Sequence, residues 1–206
     1  MTIRSRATIA RRRARFRASV RRAHHIELPR WPLASLASAA LAAAATLMVA
    51  VPVRAGGDKI AFPEDYAKGA LYTTLDRPDN KQYRELFVTP ASALDAAKKG
   101  EPLPSGTVLT LVQYAAKLDP QGNPEKDANG RFIKTNIVAY TVMEKRAGWG
   151  TEYPDNVRNG EWEYQAFTPA KAVNDKANLK ACFTCHKPLD KQDFVFSYDK
   201  LQAAAK

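Results

Sequence analysis

Cysteine and histidine are scarce in this chain. Among 206 residues there are two cysteines, Cys182 and Cys185, and three histidines, two of which, His24 and His25, fall in the arginine-rich opening segment. A structural zinc site takes four ligands. Beyond residue 55 only Cys182, Cys185 and His186 are on offer, so zinc would have to recruit a carboxylate. A disulfide framework is excluded as well, because two cysteines separated by two residues close a loop too small to restrain much chain. Internal repeats and low-complexity stretches are lacking after residue 55.

The basic surplus disappears on inspection. The formal charge of +11 implies a nucleic-acid or membrane-surface partner, but the first 55 residues hold 11 of the 32 Lys and Arg and one of the 21 Asp and Glu, leaving 21 basic against 20 acidic residues. No basic patch remains to attract phosphates, which argues against nucleic acid as a partner. Those 55 residues have their own logic. An arginine-rich region from Met1 to Arg30 is followed by the uncharged "PLASLASAALAAAATLMVAVP" and then by "VRA", ending at Ala55. A basic region, an apolar region and a small-residue end form a secretory signal peptide, with cleavage expected after Ala55. The apolar run also approaches the length of a membrane anchor. Its alanine richness and the "VRA" end favour cleavage, so no membrane association is expected afterwards. Residues 1–55 are thus assigned to the signal and 56–206 to a single domain with a real core.

Within that domain "TPASALDAAKKG" predicts a helix with Thr89 as N-cap, Pro90 at its first position and Gly100 as its stop. Residues 106–118 and 131–148 are rich in β-formers and predict two strands of a long hairpin, joined by the turn-rich "DPQGNPEKDANG". That loop has only a faint likeness to a calcium loop, since it lacks the alternating acids and late glutamate. In "GEWEYQAF", Trp162, Tyr164 and Ala166 alternate with Glu161, Glu163 and Gln165, which predicts a half-buried strand. "FPEDY" carries a helix-start pattern at Pro63 and "RPDN" a turn; residues 175–186 predict a helix. The fold class expected is α+β and β-rich.

That last helix carries "CFTCH". A thioredoxin-like redox pair does not need the histidine and normally belongs to a parallel α/β unit. The remaining reading is covalent attachment of haem c. Two thiols three positions apart on a helix reach the two vinyl groups of one porphyrin, and His186 serves as axial ligand to the iron. The attachment occurs outside the cytoplasm, in agreement with the signal peptide. The sixth position of the iron lacks an obvious occupant: no second histidine follows residue 55, and Met143 is the sole methionine there. Met143 as a ligand would make the protein a six-coordinate electron carrier. An open sixth position would make it a receptor for small molecules such as nitric oxide or hydroxylamine.

The stretches "PLPSGTVLTLVQY", "VMEKRAGWG", "RNGEWEYQAF" and "ACFTCHKPLDKQDFVFSY", with the "FPEDY" opening, resemble the cytochrome P-460 family, which includes the cytochromes c′-beta. The resemblance implies an antiparallel sheet with flanking helices, one haem c on the C-terminal C-x-x-C-H helix, a homodimer, a periplasmic location and a five-coordinate iron on His186. It also implies a periplasmic electron acceptor if the protein turns over substrate. One branch of the family bonds a lysine to the porphyrin and oxidises hydroxylamine; another lines the distal side with phenylalanine and binds nitric oxide. Lys117 and Lys145 are the lysines expected for the first arrangement, and Phe87 the aromatic for the second. Glu144, if its strand face covers the haem, is expected to move protons from hydroxylamine.

Overall fold

Strand pairing between sequence neighbours accounts for the whole architecture. The computed structural model describes residues 59–205, so the signal peptide expected over 1–55 lies outside the described residues. Strands β1 (Ala70–Arg77), β2 (Gln82–Thr89), β3 (Val108–Ala116), β4 (Lys134–Lys145) and β5 (Trp162–Phe167) form one antiparallel sheet in the order β1-β2-β3-β4-β5. Three short helices accompany it: α1 (Ala93–Lys98), α2 (Leu179–His186) and α3 (Tyr198–Ala204). The α+β, β-rich class is as expected. Among the described residues no helix is long and apolar enough to cross a membrane.

The β3–β4 hairpin forms where the sequence predicts it. In its loop the Asp119 and Asp127 carboxylates each accept backbone N–H bonds from residues two and four positions on, at 2.8–2.9 Å. Both acids are thereby spent on local turns. The first hairpin, β1–β2, was visible in sequence only at its "RPDN" turn, because most of its residues are intermediate in burial and the alternation is blurred.

Three expectations need correction. Thr89 is not a helix cap: β2 runs through it, its hydroxyl donates to the Tyr66 carbonyl at 3.4 Å, and α1 starts only after Ser92, beyond a cis Thr89–Pro90 bond. The cysteine helix starts at Leu179 rather than 175, because Asn178 caps it. β5 is buried on both faces rather than one, Glu163 and Gln165 included. Tyr153 and Lys59 close over the Glu163 side.

Alternation sorts the sheet into two faces. On one, the cross-strand row Val88, Leu109, Met143 and Tyr164 packs against Ala93, Ala97, Phe183, Val195 and Leu201 from the helices and the C-terminal segment. Fully buried side chains such as Val88 and Leu201 each contribute roughly 1.5–3 kcal/mol to stability. On the other face Val112, Tyr140, Val142 and Phe167 meet Ile60 and Phe62 from the N-terminal segment. Phe62 sits edge-on to Tyr140 at 4.9 Å and to Phe167 at 5.3 Å. Gly69 marks the entry to the sheet: a Cβ there would lie 2.2 Å from the Val88 carbonyl oxygen, so no other residue fits without moving the backbone.

Candidate functional site

Helix α2 exists because Asn178 accepts a bond from the Ala181 N–H at 3.3 Å. Helical spacing then gathers Cys182, Cys185 and His186 on one flank. Both cysteines are free thiols, Cys182 partly buried and Cys185 exposed. Burial pushes the Cys182 thiol pKa up.

His186 is held on three sides. Its ring lies 5.0 Å from that of Tyr164 and 4.9 Å from that of Phe196. Its Nδ1 is 2.6 Å from the Phe194 carbonyl oxygen, which can only accept, so Nδ1 carries the proton and Nε2 keeps its lone pair. Burial pushes the His186 pKa below its ordinary value, with the Phe194 bond opposing, and the neutral ring is the form a metal needs.

The Phe194 carbonyl is aimed by an unusual turn. Asp193 and Phe194 are consecutive non-glycine residues with left-handed backbone, φ 53° and 60°. Such conformations persist when their surroundings hold them. The Asp193 carboxylate accepts the Leu103 N–H at 2.8 Å and both of its oxygens accept from Lys145 Nζ, at 2.8 and 3.0 Å. The two side chains are only 9% and 10% exposed. Gly160 makes room for the Phe194 ring, which would come within 3.0 Å of a Cβ there. On the other side of α2, the buried Asn159 donates to the Tyr164 hydroxyl at 2.9 Å and to the Phe183 carbonyl at 3.0 Å, tying the motif to β5.

Cys182 and His186 line a cavity of about 490 Å³. Its sheet wall carries Leu86, Leu109, Leu111, Thr141, Met143 and Tyr164, and Phe196 and Ser197 border it from the C-terminal segment. Phe196 is 58% exposed, an apolar ring at the mouth with little to cover it. The volume falls within the range of cofactor pockets. Two free thiols a helical turn apart, a neutral imidazole with Nε2 available and an apolar cavity together fit a haem held by thioethers and one axial nitrogen.

The remaining predicted residues separate sharply. Met143 is on the cavity wall. Glu144, its neighbour, points to the other face, where it is buried and accepts from Arg146 Nε at 2.6 Å. Phe87 is on that other face too, 5.1 Å from the Tyr66 ring. Lys117 is exposed in the hairpin loop and donates to Glu125 at 2.7 Å. Lys145 shares Met143's face but is committed to Asp193. The proton-moving role expected for Glu144, the cross-link expected at Lys117 or Lys145, and the distal role expected for Phe87 therefore find no support, since alternation or pairing keeps each away from the cavity. Sequence reasoning missed Asn159, Tyr164, Asp193 and Phe194. Tyr164 was marked only by the alternation of "GEWEYQAF", and Asn159, Asp193 and Phe194 only by lying in stretches that carry the family resemblance.

Residues 63–197 match the family model described as Cytochrome P460. No curated protein matches the chain.

Proposed function

The chain belongs to the cytochrome P460 family, and from that premise we propose that it is an exported, periplasmic monohaem c-type cytochrome that binds small nitrogen species. The family implies a haem cofactor. Cys182 and Cys185 would hold it through thioethers, and His186 Nε2 would supply a nitrogen ligand to its iron. When bound, the haem supplies an iron that takes small ligands and exchanges electrons. The protein's part is to fix the imidazole through the Phe194 carbonyl, exclude water with the leucine wall and leave a small apolar space for the ligand.

One observation carries this reading: a neutral imidazole, pinned at Nδ1, shares an apolar cavity with the first thiol of a C-x-x-C-H helix. Binding is favoured over oxidation of hydroxylamine. On the sheet wall Leu86, Leu109, Leu111 and Met143 neither take nor give a proton, and Asp199, the one carboxylate among the described residues that border the cavity, is exposed and paired with Lys200, whereas oxidation needs a base within hydrogen-bond reach of the ligand. A homodimer and, for any turnover, a periplasmic electron acceptor belong to the same reading.

The experiment is peptide mass mapping of the purified protein with optical spectra of its ferric form. Ala181–Lys187 is expected to carry the mass of one haem, and the spectrum to be five-coordinate and high-spin, responding to nitric oxide. Haem that extracts into acidified organic solvent refutes the attachment. A low-spin spectrum supports a second reading, favoured by the place of Met143 on the cavity wall: an electron carrier with its thioether as sixth ligand.

A further inference from the structure

Arg84 makes no ion pair of its own among the described residues: Asp79, the carboxylate that acts on it, is bonded to Arg77. It lies on β2 on the cavity side of the sheet, partly buried, and lines the cavity. Its Nε and Nη2 donate to the Gln82 side-chain oxygen at 2.9 and 2.8 Å. The Asn80 amide, turned to give both of its ends partners, offers its oxygen to Nη2 at 2.9 Å. All of these acceptors are neutral. No bond among the described residues uses the two Nη1 donors. Burial, with the neighbouring Arg77 adding to it and Asp79 opposing, depresses the guanidinium pKa, although the group stays charged. The nearby acids are engaged elsewhere: Asp79 takes two bonds from Arg77, at 2.8 and 2.6 Å, and Asp199, which also borders the cavity, is 3.1 Å from Lys200. A partly buried guanidinium facing an apolar cavity is an anion site in waiting, because planar paired donors match a carboxylate or another oxyanion.

The register says where on the cavity this site lies. Tyr164, which packs on His186, is paired with Met143, then Leu109, then Val88, and Arg84 lies four residues before Val88. Three strand spacings across and four residues along put the Arg84 and Tyr164 backbones about 20 Å apart. Arg84 is therefore at the far end of the cavity from the imidazole rather than over an iron bound to it. In a porphyrin the two vinyl groups and the two propionates occupy opposite edges. If Cys182 and Cys185 take the vinyl edge, the propionate edge points away from α2, along the cavity.

We propose that Arg84 is an oxyanion site at the far end of the cavity, with a haem propionate as its carboxylate. This rests on the haem reading above. The same donors suit a free anion such as nitrite, so the test separates the two sources. It uses the holoprotein of the wild type and of Arg84→Gln, Arg84→Lys and Arg77→Gln, with bound haem verified in each by its pyridine haemochrome and folding by circular dichroism. The midpoint potential is measured against pH, and nitrite affinity by spectral titration.

A propionate paired with Arg84 has its carboxyl pKa held down. Arg84→Gln is then expected to move the propionate inflection to higher pH and to lower the midpoint potential, since a positive charge that disfavours the ferric state is gone. Arg84→Lys is expected to restore part of both shifts. Arg77→Gln is expected to change them less, because that charge is already neutralised by Asp79. A tenfold loss of nitrite affinity with an unmoved potential keeps the oxyanion site but overturns the propionate as its occupant. A haem-loaded Arg84→Gln protein with both readings unchanged, or an equal shift from Arg77→Gln, overturns the assignment to Arg84 while leaving the haem reading intact. A wild-type protein without haem overturns both.

Discussion

Met143 and Glu144 are adjacent in sequence and belong to different chemistries. The face of the sheet that Met143 shares with Leu109 and Leu86 borders the cavity where Cys182 and His186 sit. The face that Glu144 shares with Val142 and Tyr140 is packed with aromatic rings and paired charges. One face lines the cavity, mostly with apolar side chains. The other spends its polar groups on the protein itself. Chemical richness in the sequence is thus a poor guide to the site here: Glu144 and Phe87 are on the packed face, and Leu86, Leu109 and Leu111 are on the face that borders the cavity.

The contrast predicts that changes which release His186 on the cavity side move both stability and the haem spectrum, and that changes on the opposite side move stability alone. The largest effect is expected from Asp193→Ala. It leaves the Lys145 ammonium buried without a partner, which costs about 3–5 kcal/mol in urea unfolding, and it releases the turn that aims the Phe194 carbonyl, so the haem spectrum is expected to change as well. A loss of stability with an unaltered spectrum would mean that the turn does not position His186.

Next is Glu163→Gln, on the opposite face. Burial pushes the Glu163 pKa up to about 7 from an ordinary 4.5, with Tyr153 and Lys59 opposing. Between those values the native state holds more protons than the unfolded one, so stability is greatest below pH 4.5 and falls as pH rises toward 7. The full loss is about 3 kcal/mol. Glutamine is expected to flatten that slope in thermal or urea unfolding between pH 4.5 and 8 without moving the haem spectrum. A persisting slope assigns the titration to another group.

A smaller effect is expected of Met143→Leu. The swap roughly keeps side-chain volume and costs less than about 1.5 kcal/mol. For an open sixth position the ferric spectrum and nitric oxide binding stay as they are; a low-spin wild type that turns high-spin on substitution makes Met143 the ligand. The smallest effect is expected of Lys117→Ala, which removes an exposed pair with Glu125 and costs at most about 1 kcal/mol. Its spectrum is expected to be that of the wild type, and a shifted Soret band would instead tie Lys117 to the haem.

The legible part of the molecule was the part written in short, local patterns. C-F-T-C-H declares two thiols and an imidazole on one helical flank, and the β3–β4 hairpin declares itself through β-branched runs around a loop of Asp, Asn, Gly and Pro. What escaped reading needs three dimensions. Which of Met143 and Glu144 faces the site depends on what covers each side of the sheet, and because both sides are covered the hydropathy of β4 does not choose. The Asp193–Phe194 turn shows no glycine to announce its left-handed backbone, since it is held by Lys145, 48 positions away. Arg84 reads as an ordinary strand charge until its hydrogen-bond acceptors prove neutral.

The plain order of the strands also bears on how the molecule assembles. Each strand meets its partner through a hairpin or a single intervening segment, so the sheet can zip from local encounters at little cost in chain closure. The cavity cannot. It closes only when Ser197 reaches Tyr72, 125 positions back, and Asp193 reaches Leu103, 90 positions back. The slow, long-range step is therefore the docking of the segment that follows the two thiols. Until it docks, a formed sheet offers one open wall.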